Sequence, residues 1–252
     1  MTDVANARRR LRTAVVWDGL RAALDARLPG REALEVLDVG GGTGGFAVPL
    51  AQAGHAVTVL DPNPDALAAL ERRAAEAGVG DRVRWLQADA ADLSGLIAAG
   101  SCDLVLCHGV LEHVDDPTAV LKAVAGVLRP DGVVSVLVAN PNGAALARAA
   151  AGHLDQARAV LADPAGRWGE RDPLPRRFTA GQAAALFAAA GLTVFATHGV
   201  RVCVDLVPGG VVEGEPEAIE ALLALEAVLA EHPDFHAVAG QLHLLATGLP
   251  GS

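Results

Sequence analysis

The stretch VLDVGGGTGGFAVPLAQAGHAVTVLDPNP, from Val36 to Pro64, decides how the rest of the chain is read. An apolar run ends in Gly40 to Gly45, six residues that are all glycine except Thr43, and a helical pattern follows at 46–53. Glycine loses more conformational freedom on folding than any other residue, so such a run is costly to order. That cost is met where a ligand needs the main chain close against it. Strand, glycine loop and helix, in that order, form the local context of a nucleotide-binding turn. Gly40-x-Gly42-x-x-Gly45 has the dinucleotide spacing, and Asp38-x-Gly40-x-Gly42-x-Gly44 sets an acid two residues ahead of the glycines. The next apolar run, 56–60, is followed by Asp61, 21 residues after Gly40. A carboxylate there is placed to accept hydrogen bonds from two ribose hydroxyls.

Working outward, β-type runs alternate with helical patterns. Strands are predicted at 34–39, 56–60, 83–87, 103–108 and 132–139, with helices at 46–53, 64–78, 92–98 and 117–128 between them. This alternation implies an α/β fold, a parallel sheet covered by helices on both faces. A helix from about Arg8 to Leu28 precedes the first strand. The pattern breaks at 141–178, read as an insertion of two short helices and the Arg/Pro-rich loop RWGERDPLPRRF, and then resumes. A helix at 180–190, a strand at 192–198, a helix at 215–231 and a last strand at 241–247 follow, with GLPGS as a frayed tail.

The 252 residues suit one large domain. No uninterrupted apolar run is long enough to span a membrane, and MTDVANARRRLR lacks the apolar segment of a signal peptide. The three cysteines do not form an even framework. Cys102 and Cys107 sit in the apolar segment CDLVLC and read as reduced core residues of a cytoplasmic protein. A net charge of −10 argues against a general nucleic-acid binder. The charge is unevenly spread, however. Six arginines face three acids in 1–30, and six face four acids in 148–177, whereas no Lys or Arg follows Arg201.

The ligand of the glycine loop is read from what surrounds it. A nicotinamide cofactor usually brings a second mononucleotide half, and no second glycine loop follows the fifth strand. Asp89, just past the third strand, is placed to meet an adenine amino group, with the main chain of Ala90 and Ala91 along the ring. His108 ends the fourth strand beside the same crevice, and His108, Glu112 and His113 are the candidates for a general base, none of them assigned as catalytic. His108-x-x-x-Glu112-His113 is one residue too long for an inverted zinc motif, so no metal is expected.

Taken together, VLDVGGGTG, VLDPNP, LQADAADL, DLVLCHGVLEHVDDP and VLRPDGVV resemble a class I S-adenosylmethionine (SAM)-dependent methyltransferase over roughly 34–138. The resemblance implies SAM as cofactor. It implies a doubly wound, mostly parallel seven-stranded sheet of Rossmann-like methyltransferase type whose last strand runs antiparallel, with an insertion after strand 5. The whole chain is then one methyltransferase domain: an N-terminal helical segment at 1–33, a SAM-binding core at 34–140, a substrate-side insertion at 141–178 and the remaining sheet at 179–252.

A narrower resemblance extends over nearly the whole chain. LRTAVVWDGL, NPNGAALARAAAGHLDQ, RDPLPRRFTAGQ and GVRVCVDL followed by ALLALE are similar to the bacterial tRNA 5-carboxymethoxyuridine methyltransferase family, which esterifies the carboxylate of a modified wobble uridine. It implies SAM contacts from Arg12, Gly40, Gly41, Asp61, Ala90, Ala91 and His108, to which the glycine loop adds Gly42 and the end of the third strand adds Asp89. Arg171, Arg176, Arg177 and Arg201 become candidates for the acceptor. Arg12 would pair with the methionyl carboxylate of SAM, a natural task for a guanidinium fork. The family's lysine-rich stretch is reduced here to Arg167, Arg171, Arg176 and Arg177, and tyrosine is absent, which leaves little to stack a splayed base. Two alternatives stay open: a small carboxylic acid or other metabolite as the acceptor, and a non-catalytic SAM-binding partner protein.

Overall fold

Alternating buried strands and amphipathic helices build a seven-stranded sheet of order β3-β2-β1-β4-β5-β7-β6. The computed structural model describes residues 2–208 and 216–248, with side chains from Arg10 to Pro208 and from Glu217 to Gly248. The strands are β1 (Glu35–Val39), β2 (Ala56–Asp61), β3 (Val83–Gln87), β4 (Cys102–His108), β5 (Leu128–Ala139), β6 (Leu192–Val200) and β7 (Gln241–Gly248). The helices are α1 (Thr2–Arg27), α2 (Ala47–Gln52), α3 (Pro64–Glu76), α4 (Leu93–Leu96), α5 (Pro117–Val127), α6 (Pro141–Ala150), α7 (Leu154–Ala162), α8 (Ala180–Ala189), α9 (Pro216–Glu231) and α10 (Pro233–His236). The start of the helix expected from 215, Glu213, Glu215 and the 249–252 end of the chain lie outside the described residues.

Several of these elements begin on the same local signal. Asn63, Asp116 and Asn140 each precede a proline, and each side chain accepts hydrogen bonds from N–H groups of the helix that starts there. The cap satisfies otherwise orphaned donors, and proline at the first helical position gives up a donor that would have gone unused.

β1 pairs in parallel with β2 on one side and β4 on the other, and β2 pairs in parallel with β3. Val36, Leu37, Val39, Leu104, Val105 and Leu106 are all buried, as both-face coverage requires. At the far side, Asn140, just past β5, donates its N–H to Gly240, and Gly240 donates to the carbonyl of Arg201, just past β6. The end of β5, the end of β6 and the start of β7 therefore share one edge, so β7 runs against both neighbours.

β5 begins four residues earlier than its pattern suggested. The expected strand left out 128–131, but Arg129 bonds Asp103 at 2.5 Å and Arg31 pairs with both Asp103 and Asp131, holding the segment extended. By contacts the chain divides into two units. One comprises Ala23–Val136, Ala185–Phe195 and Leu245–Ser252, and the other Met1–Ala22, Leu137–Ala184 and Ala196–Leu244. In the second, Leu11 of α1 and Leu222 of α9 are buried together, with Ile219, Leu223, Val204 and Val207 packed on them.

Candidate functional site

The glycine loop leaves β1 with Gly40, Gly42 and Gly44 at φ of +67°, +53° and +79°, the left-handed region that glycine enters without penalty. Close approach adds to the requirement. A Cβ at Gly40 would lie 2.4 Å from Val110 Cγ2, and one at Gly41 would lie 2.5 Å from Asp38 Oδ2. Three contacts fix the loop from outside. The Gly40 N–H donates to the Leu60 carbonyl at 2.7 Å, and the Gly42 N–H to Asp61 Oδ2 at 2.9 Å. Arg73 of α3 donates to the Thr43 carbonyl at 2.9 Å.

A cavity of about 240 Å³ opens beside this loop, lined by Gly40, Leu60, Asp61, Pro62, Asp89, Ala90, Gly109, Val110, His113 and Val114. It is bounded by the residues that follow β1, β2, β3 and β4, the carboxyl edge where α/β sheets bind ligands. Asp61 is only 8% exposed, and its two oxygens accept the N–H groups of Gly42 and Asn63, each at 2.9 Å. Each carboxylate oxygen can accept a second bond, so capacity remains for a diol. Asp89 caps the 3₁₀ turn Ala90–Asp92 by accepting the Ala91 N–H at 2.9 Å. Main chain, acid and apolar wall together fit an adenosine.

Gly40, Asp61, Asp89 and Ala90 line the cavity, with Gly41 and Gly42 in the loop beside it. Ala91 and His108 are not among the lining residues. His108 closes β4, its Nε2 is 2.8 Å from Ser135 Oγ, and its ring meets Phe46 edge-on at 4.7 Å. Burial drives its pKa down to about 3, so the ring is neutral at physiological pH. Of the other base candidates, Glu112 is buried whereas His113 faces the cavity. Sequence reading gave Leu60, Pro62, Val110 and Val114 no role. The signal was available, because β4 neighbours β1 and the loop after it must border the glycine turn.

Arg12, Arg171, Arg176, Arg177 and Arg201 belong to the other unit. There Arg177 has a different task from the one expected of it. It is 8% exposed and forms a two-pronged pair with Asp172, Nη1 to Oδ2 at 2.7 Å and Nη2 to Oδ1 at 3.0 Å. It also donates to the Gly166 carbonyl, so its charge is spent inside the loop rather than on a ligand. Arg171 is exposed and Arg176 half-buried. Arg12 is an exposed residue of α1. Arg201 bonds Asp205 at 2.8 Å. Among the described residues, no group of three His, Cys, Asp or Glu side chains is placed to hold a metal, and no helix is long and apolar enough to cross a membrane.

Asp38 carries a pH signature. Burial, then the charge of Asp61, raises its pKa to about 7, and its Oδ2 has no hydrogen-bond partner among the described residues. Between pH 4 and 7 the unfolded chain loses this proton while the folded one keeps it, so the group's contribution to stability falls as pH rises through that window. Asp38→Asn should therefore gain stability relative to wild type between pH 5 and pH 8, measured as the difference in urea midpoints. A difference that does not change with pH would contradict the assignment.

Comparison with known proteins agrees with this geometry. A methyltransferase domain family model matches residues 37–136. The chain is 31% identical to a tRNA 5-carboxymethoxyuridine methyltransferase of Escherichia coli O157:H7, over 94% of this chain and 87% of that one. The chain belongs to the SAM-dependent methyltransferases. This methyltransferase is also 38% identical to a ubiquinone biosynthesis O-methyltransferase of Xanthomonas axonopodis pv. citri, over 46% of its own chain and 48% of that one. A solved S-adenosylmethionine-dependent methyltransferase from Listeria monocytogenes superposes with a TM-score of 0.60 at 16% identity, covering 95% of this chain and 99% of that one. The fold, the enzyme class and SAM as cofactor stand on these matches together with the cavity. With the class established, the reading as a non-catalytic partner falls away.

Proposed function

We propose that this methyltransferase esterifies the carboxylate of a 5-carboxymethoxyuridine at the tRNA wobble position. The observation that carries the reading is similarity extending over 94% of the chain, which includes the insertion at 141–178 and the segment around Arg201 as well as the cofactor region. Matches to the ubiquinone-pathway enzymes cover under half of the chain, so they speak for the cofactor and not for the acceptor.

In this reading Asp61 holds the ribose and Asp89 and Ala90 the adenine, with His108 as neutral support. When bound, SAM supplies an electrophilic methyl on a sulfonium, which an ionised carboxylate accepts by in-line displacement without a general base. His108 is neutral, Glu112 is buried, and of the three base candidates only His113 lines the cavity, where this reaction asks no proton of it. Arg171 and Arg176, in a loop with more arginines than acids, offer charge to phosphates. Local charge outweighs the net −10, because screening confines such contacts to about 8 Å.

A small carboxylic acid is the second reading, favoured by the acidic net charge and the absence of tyrosine. Labelled SAM given with tRNA from a strain lacking the enzyme, and separately with that strain's small-molecule extract, decides between them. Label is expected in tRNA nucleosides and should be released by mild alkali, as an ester requires. Label only in small molecules would overturn the tRNA reading.

A further inference from the structure

Thr43 is the one residue of the Gly40–Gly45 loop that bears a side chain, and it is exposed. Arg73 of α3 grips it at two points. Arg73 Nη1, which carries two hydrogens, donates to the Thr43 carbonyl at 2.9 Å and to Thr43 Oγ1 at 3.2 Å. Three residues earlier on the same face of α3, Leu70 meets the next loop residue. Leu70 is fully buried, and a Cβ at Gly44 would lie 2.3 Å from its Cδ1. Asp61, at the end of β2, accepts the Gly42 N–H. The β2–α3 segment therefore holds three consecutive loop residues: Gly42 by a carboxylate, Thr43 by a guanidinium and Gly44 by apolar contact.

The three holds do different work. Leu70 belongs to the core, and Asp61 faces the cavity. Neither Arg73 nor Thr43 is among the residues lining that cavity. A bond between solvent-facing groups also adds little to the stability of the fold. What remains for Arg73 to act on is the loop itself. Five glycines in six residues leave a segment with more conformations to lose than any other composition would. A ligand that needs one of those conformations loses affinity in proportion to the fraction of molecules that lack it. A clamp on Thr43 raises that fraction before the ligand arrives, which is preorganisation.

We propose that Arg73 is a positioning residue for SAM: by clamping Thr43 it keeps the glycine loop in its cofactor-ready conformation while the site is empty. Arg73 touches no part of SAM in this scheme and acts only through the loop. This rests on the placement of SAM against the glycine loop given above, and it is independent of which acceptor is methylated.

Arg73→Met keeps the apolar stem and removes both donors. The test measures SAM binding by calorimetry and stopped flow in wild type, Arg73→Met, Thr43→Val and the double variant, with Asp61→Ala as the control for the site. Arg73→Met should raise the SAM Kd about tenfold, the rise expected if the competent loop falls to about a tenth of the population. The loss should lie in the association rate, with dissociation within about twofold, because SAM itself holds the loop once bound; losing a direct contact would act on dissociation instead. The melting temperature should stay within about 2 °C of wild type. The Gly44 N–H, bonded to the Gly41 carbonyl at 3.0 Å, should exchange hydrogen about tenfold faster without SAM and at the wild-type rate in saturating SAM. Thr43→Val, which loses only the hydroxyl, should show a smaller rise in Kd, and the double variant should be no worse than Arg73→Met alone. If Arg73→Met does not fold, Arg73→Gln, whose shorter arm stops short of Thr43, carries the same comparison. An unchanged SAM Kd in the Arg73 variant, a loss confined to dissociation, additive effects in the double variant, or Gly44 exchange that stays fast in saturating SAM would each overturn the proposal while leaving the site in place. Wild-type SAM affinity in Asp61→Ala would instead overturn the placement of SAM at this loop, and the proposal with it.

Discussion

Asp61→Ala is expected to abolish useful SAM binding. The carboxylate is nearly buried at the end of β2, so bonds to its charge are weakly screened. Two ribose hydroxyls would each lose a charge-assisted hydrogen bond worth about 1.5–3 kcal/mol, together a hundredfold to ten-thousandfold in affinity. A second loss compounds the first. Asp61 also accepts the N–H groups of Gly42 and Asn63, so its removal releases the glycine loop and leaves two donors unpaired at the cavity wall. Asp61→Asn separates the two effects. It retains one oxygen for a hydroxyl but sets an amide NH₂ against a main-chain donor, so its loss should fall between wild type and Asp61→Ala. Calorimetric titration with SAM and with S-adenosylhomocysteine measures both variants. Near wild-type affinity in Asp61→Ala would remove the basis for placing adenosine in this cavity.

Arg177→Ala is expected to cost about 3–5 kcal/mol of stability, because it leaves the Asp172 carboxylate charged, buried and without its cation. Asp172 is the hub of its loop. It accepts the N–H groups of Trp168 at 2.9 Å and Leu174 at 3.0 Å as well as both guanidinium prongs. Burial works to raise its pKa, but the Arg177 bonds and the two N–H groups outweigh it and hold the carboxyl below its ordinary value. A depressed folded pKa means stability that is present above the unfolded value near 3.8 and lost as pH falls through the folded one. The gap between wild type and Arg177→Ala should therefore be widest near neutrality and narrow below about pH 4. Chemical unfolding across that range checks both magnitude and sign. The exposed Arg171 gives the contrast. On the proposed tRNA reading, Arg171→Ala should leave stability within about 0.5 kcal/mol while flattening the salt dependence of methylation. A stable Arg177→Ala protein with weakened tRNA use would reverse the two assignments.

The contrast between Arg171 and Arg177 marks where sequence reading stops. Both lie in RWGERDPLPRRF, and nothing in spacing or composition separates a solvated arginine from one folded back onto its own loop. β5 shows a similar limit. Its first residues, 128–131, fall outside the expected strand, and they are held extended by partners, Arg31 and Asp103, distant in the chain.

What the sequence by itself determined is local or periodic: the order of strands and helices, the Asn-Pro and Asp-Pro helix starts, the glycine loop and the acid after β2. These follow from φ preferences, capping and the two-residue or 3.6-residue repeats, each written into a few neighbouring residues. Tertiary structure alone decided which polar atoms end up without water. Asp38, beneath Gly41, acquires a raised pKa because burial and Asp61 meet there. Glu226 becomes the anion of a turn 22 to 24 residues away in sequence. Desolvation and long-range hydrogen bonding depend on what packs overhead, and that partner is fixed only when the chain closes on itself.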